Sequence, residues 1–116
     1  MSDPNSPDAA GATLLDAGHL SRQTFGDADL AAELLGLFAE QCERLLPGIV
    51  DRDRPGPDRA DLAHTLKGSA LGIGAVRVAL SSGAAEDALR AGDTAFPCDR
   101  LIDTVAATLA VLPRTA

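Results

Sequence analysis

The stretch DLAHTLKGSALGIGA, Asp61–Ala75, decides how this chain folds. Successive helical residues are about 100° apart around the axis. With Leu62 at zero, Leu66 falls at about 40°, Ala70 at about 80° and Ile73 at about 20°, and Ala63 flanks them at about 100°. These residues form one apolar stripe with no strand-like alternation. His64 comes out at about 200°, Lys67 at about 140° and Gly68 at about 240°. The three therefore share the outward face with Leu71, at i, i+3, i+4 and i+7 spacing. A glycine inside a helix costs about 1 kcal/mol relative to alanine, so its place here needs a reason.

On either side of this helix the chain reads as more helix. In DADLAAELLGLFAEQCERLLPGIV, Asp27 or Asp29 can cap the start. Leu30, Leu34, Leu37, Phe38, Leu45 and Ile49 share one face. Pro47 sits late in this pattern and predicts a kink or an early end, because proline in a helix interior costs about 3 kcal/mol. DRDRPGPD, Asp51–Asp58, is a turn, after which Pro57 suits the first turn of the motif helix. That helix is expected to run to about Leu71, where GIGA permits a break. A further helix is expected from about Ala75 to Ala91, ending at Gly92, with Gly83 permitting close contact with a neighbour. A last one spans about Pro97 to Leu112 on Leu101, Ile102, Val105, Leu109 and Leu112, and Pro113 stops it. A short lead helix is expected around Asp16 to Thr24. The prediction is an all-α, up-and-down antiparallel four-helix bundle with a short N-terminal lead helix. Residues 1–15 are expected to form a flexible N-terminal segment and residues 16–113 the bundle domain.

Composition narrows the function. The chain has 116 residues, 46% hydrophobic but only 3% aromatic, so a single core must be built from Leu, Ala, Val and Ile. The formal charge of −7 and the lack of any Lys/Arg run exclude a nucleic-acid surface. No apolar run approaches the roughly 20 residues of a membrane helix, and the N-terminus lacks the pattern of a secretory signal. Cys42 and Cys98 have no metal-ligand spacing and read as buried small hydrophobes. The expectation is a soluble, cytoplasmic monomer with no metal site and no membrane or nucleic-acid partner.

The outward face carries the chemistry. A neutral imidazole on the surface keeps one ring nitrogen with a free lone pair, able to attack an electrophile. Lys67 is the only lysine, the other nine basic residues being arginine. Its compact cation suits an incoming anion such as phosphoryl. Gly68, lacking a Cβ, leaves the next turn unobstructed beside the ring. A solvated histidine with no role is the alternative reading, and it is the one adopted for His19, which has no cation or glycine at matching offsets. Ala60, Leu71 and Ala75 lie near the azimuth of His64 and are the candidate docking residues.

AHTLKGSALGIGA closely resembles the signature of the histidine-containing phosphotransfer (HPt) domain, an H-x-L-K-G-S/A core followed by a further glycine. The likeness extends over about Gly18 to Leu112. It implies that His64 is the phosphorylated histidine, that Lys67 helps neutralise the phosphoryl group and that Gly68 gives steric clearance. Ser69 would face inward and set the helix against its neighbours. The resemblance also implies a phosphorelay intermediate rather than an autonomous kinase. Such a domain has no cofactor of its own, Mg²⁺ being brought by the partner receiver domain. Its partners would be response-regulator receiver domains and a hybrid histidine kinase. Two departures concern packing: Pro47, and Ala85 where a larger apolar residue usually precedes the acidic position, here Glu86. The rival readings are a non-catalytic helical adaptor that binds receiver or kinase domains without being phosphorylated, and a phosphatase-type regulator that drains a receiver.

Overall fold

The structure, a computed structural model, describes residues 14–112. Residues 1–13 of the expected flexible segment and the stop at Pro113 lie outside the described residues, whereas Leu15, assigned to that segment, is half-buried and packs against the core. Five helices follow one another: α1 Ala17–Gln23, α2 Ala28–Val50, α3 Gly56–Ile73, α4 Val76–Arg90 and α5 Asp99–Val111. Helices α2 to α5 form the up-and-down bundle, with α3 packed most extensively against α4 and α2, while α4 carries α5. The short α1 lies against α3 and α2.

Local signals set the helix ends. Asp27 caps α2, its side chain accepting from Leu30 N at 3.0 Å, and Asp16 caps α1 through His19 N at 2.9 Å. Gly74 ends α3 with φ +79°, a left-handed conformation that costs glycine little. Gly74 N reaches Leu71 O and Ala75 N reaches Ala70 O, the paired bonds of a Schellman turn. That turn brings Ala75 inward beside Ala70, and both are wholly buried.

Three expectations are corrected by the packing. Helix α2 does not end early, because it runs through Pro47 to Val50. Pro47 is exposed, and the one helical hydrogen bond that its missing N–H forfeits is to the carbonyl of Glu43, an exposed residue one turn back, where water can replace it. The buried stripe of α2 is Leu35, Phe38, Cys42, Leu45 and Ile49, whereas Leu37 is exposed and Leu30 and Leu34 are half-buried. In α5, Leu101 and Val105 are buried but Ile102 is exposed, and Thr104 and Thr108 take core positions. Thr108 Oγ1 is satisfied by Thr104 O at 2.8 Å, so its burial leaves no hydroxyl unpaired.

Small residues hold α3 and α4 together. Ala60, Ala63 and Ala70 on α3 are buried, as are Ala79, Ser82 and Ala85 on α4. Both cysteines are free and buried, and burial, with a smaller effect from Glu43, pushes the Cys42 thiol up to about 12.

One charged residue is wholly inside. Arg59 donates from Nε to Ile49 O at 2.7 Å and from Nη1 to Thr94 O at 3.0 Å. The guanidinium thus occupies the C-terminal end of α2, where carbonyls lack helical partners, and ties it to the α4–α5 loop.

Candidate functional site

His64 stands midway along α3 with its side chain 62% exposed, the outward placement the helical period predicts. Its Nδ1 lies 3.0 Å from Glu86 Oε2 and 3.2 Å from Oε1, across on α4. Lys67 Nζ lies 3.1 Å from Glu86 Oε1, and Arg90 Nε lies 2.9 Å from Oε2. Arg90 also reaches Asp61 on α3 through Nη2 at 3.2 Å. One carboxylate thus gathers an imidazole, an ammonium and a guanidinium drawn from two helices.

The state of Glu86 follows from this company. Its side chain is 9% exposed, and burial by itself pushes a carboxyl upward. Hydrogen bonds from Arg90, Lys67 and His64 outweigh that effect and hold the group at about 2. Glu86 is therefore ionised near neutrality and can only accept hydrogen bonds. Nδ1 of His64 must then carry the proton in this pair. In the neutral ring the lone pair is left on Nε2, the nitrogen turned away from Glu86.

Lys67 is placed differently from the expectation of an outward cation. Its side chain is only one-third exposed and runs toward α4, so the ammonium meets Glu86 rather than open solvent. The structure still brings Lys67 and His64 together, on the two oxygens of one carboxylate. At Gly68 an added Cβ would meet nothing within 4 Å, so the space beside the ring is empty. Ser69 is half-buried.

Two of the three candidate docking residues are corrected. Ala60 and Ala75 are wholly buried and present no surface. Ala60 lies at the margin of the α3 stripe, which centres closer to Ala63 and Arg59 than to Leu62. Ala75 lies beyond the Schellman turn, where the helical period no longer applies. Leu71 is 58% exposed, and on α4 Leu80 is 62% exposed. A groove of about 610 Å³ runs between them, lined by Lys67, Leu71, Val76, Leu80, Gly83 and Asp87 among others. It is predominantly apolar and begins at the site lysine.

His19 is not a free solvated side chain. It is half-buried, and its Nε2 lies 3.2 Å from Gly72 O, an end carbonyl of α3. Asp16 N donates to Gly74 O at 2.8 Å, so α1 is fastened to the α3–α4 turn by two bonds. The sequence reading placed no role on Glu86 beyond its being an acidic position. The signal that could have found it is Glu86 and Arg90 at i, i+4 on a helix whose other buried residues carry no charge.

Among the described residues, no three His, Cys, Asp or Glu side chains converge as a metal site would require. No described helix is long and apolar enough to cross a membrane.

Comparison with known proteins agrees with the bundle and with the motif on it. The crystal structure of the histidine phosphotransferase ShpA from Caulobacter crescentus is similar to this chain, with TM-score 0.68 and 27% sequence identity. The likeness covers 86% of this chain and 88% of that one. No curated protein matches. The family model described as the Hpt domain matches residues 33–112, which include α3, α4 and the whole Glu86 cluster. This chain belongs to the Hpt domain family.

Proposed function

We propose that the chain is a phosphorelay intermediate: His64 accepts a phosphoryl group from a receiver-domain aspartyl phosphate and passes it to another receiver. The observation that carries this reading is the exposed ring tied through Nδ1 to an ionised carboxylate, with Nε2 turned outward. Nε2 attacks phosphorus, the N–P bond forms as the P–O bond to aspartate breaks, and the carboxylate leaves. The ring gains positive charge as it attacks, and Glu86 beside Nδ1 stabilises that charge and keeps the proton in place. In the return step the N–P bond breaks and the proton already on Nδ1 lets the ring leave as neutral imidazole. Phosphoryl transfer depends mainly on positioning and on charge stabilisation. Lys67 has donors beyond the one it gives Glu86 and supplies a cation for the phosphoryl oxygens, while Gly68 leaves them room.

The remaining catalytic parts belong to partners. A receiver domain brings the acyl phosphate and Mg²⁺, and a hybrid histidine kinase is the expected ultimate source of phosphate. The docking surface is the apolar groove with Leu71 and Leu80 on its rims, continuous with Lys67. A small, transient interface suits a relay that must release both donor and acceptor.

Incubation with a phosphorylated receiver and Mg²⁺ tests the reading. Acid-labile phosphate is expected on the wild-type chain and on His19→Ala, and none on His64→Ala. Label persisting on His64→Ala would overturn the assignment. Free phosphate released without any phosphohistidine would favour a regulator that drains the receiver.

A further inference from the structure

Gly83 lies in the interior of α4, where glycine costs about 1 kcal/mol relative to alanine. Its backbone gives no reason for the choice, because the glycines with positive φ are Gly26, Gly74 and Gly92. A Cβ built at Gly83 would meet one neighbouring atom within 4 Å, Cδ of Lys67 at 3.3 Å. The space that this glycine leaves open is thus bordered by the lysine stem. Glu86 follows three residues later on the same face of α4 and receives the Lys67 ammonium at 3.1 Å.

We propose that Gly83 is a positioning residue for Lys67: its missing side chain lets the lysine stem lie flat across α4, which places the ammonium on Glu86 beside His64. The inference rests on the phosphoryl-acceptor reading of His64 and adds to it the element that aims the cation. A separation of 3.3 Å is tighter than ordinary contact, so even alanine obliges the stem to shift by a few tenths of an ångström. Valine, with two Cγ atoms, fills the path and sends the stem outward.

The test uses phosphoramidate as donor, because it needs no docked receiver. Nε2 attacks phosphorus, the P–N bond of the donor breaks, and ammonia leaves. Labelling of His64 is followed by ³¹P NMR in wild type, Gly83→Val, Lys67→Ala and the double variant. Misplacing a reacting group by about 1 Å can cost up to roughly a hundredfold in rate, so Gly83→Val is expected to slow labelling on the order of tenfold. The double variant is expected to be no slower than Lys67→Ala alone, because the glycine acts through the lysine. Equal slowing by Gly83→Val with and without Lys67, or no slowing at all, would overturn the proposal.

Gly83→Ala provides a gentler second variant if valine disturbs the fold, with a smaller slowing expected. In parallel, the ¹³Cε resonance of Lys67 is expected to move in Gly83→Ala and to stay put in Gly36→Ala on α2. An unmoved resonance in Gly83→Ala would overturn the proposal. This arm needs no transfer, so it decides the hold of Gly83 on Lys67 even if His64 takes no label. Absence of label on wild-type His64 would count instead against the acceptor reading.

Discussion

Replacing Gly68 by alanine should make the protein more stable and less active. The site is open, since an added Cβ finds nothing within 4 Å, so the change carries no steric cost in the free protein. Gly68 has ordinary helical backbone and lies inside α3, so alanine should recover the propensity difference of about 1 kcal/mol. For a chain of this length 1 kcal/mol corresponds to a Tm shift of about 4 °C. The new methyl would stand one turn from His64, at a Cβ separation of about 5–6 Å, in the space the phosphoryl group and docking receiver must enter. Intrusion of a methyl into a filled contact costs about 1–3 kcal/mol, which is a loss of roughly 5-fold to 160-fold in transfer efficiency. Thermal unfolding by circular dichroism and rapid-quench transfer from a phosphorylated receiver measure the two effects. Gly36→Ala, on α2 and equally open, is the control and should gain stability without losing transfer. A Gly68→Ala protein that is stabilised yet transfers at the wild-type rate would refute steric clearance. One that is destabilised would refute the packing argument beneath it.

Glu86 makes stability depend on pH in a defined window. Its folded value of about 2 lies below the ordinary 4.5, so its contribution is complete above about pH 4.5 and is lost as the pH falls toward 2. Glu86→Gln should flatten the fall of the urea midpoint over that range, and an unchanged acid profile would contradict the carboxylate's three-donor environment. Arg59→Leu removes charged donors from Ile49 O and Thr94 O, each bond contributing about 1.5–3 kcal/mol, so a loss of about 3 kcal/mol or more is expected in urea unfolding. A loss below about 1 kcal/mol would show that those carbonyls do not depend on Arg59. Leu80→Asp should leave stability within about 0.5 kcal/mol but weaken receiver binding roughly tenfold or more, as read by titration calorimetry. Unchanged affinity would move the docking surface elsewhere.

Much of the fold could be read from local pattern because local physics sets it. The 3.6-residue period placed Leu66, Ala70 and Ile73 inside and His64 outside, and capping and glycine signals bracketed each helix to within a few residues. Reading failed where an element ended or where a residue type misled. Ala75 was carried forward on a period that stops at Gly74, and Pro47 was given the cost of a helix break although it and Glu43, whose carbonyl it frees, are both exposed. Arg59 shares the azimuth of the buried stripe, but what admits its charge is a pair of carbonyls from two other segments, which no pattern within α3 reveals.

The sequence by itself determined the helices, the exposed histidine and the bare turn beside it, because each depends on residues within a few positions along one helix. Only the tertiary structure decided the partner of that histidine and the direction of its lysine. Glu86 is 22 residues away from His64 in sequence, and the two meet because small residues let α3 and α4 lie close together. A long flexible side chain such as Lys67 follows the nearest opposite charge. That charge stands on another helix, where no periodicity within α3 can place it.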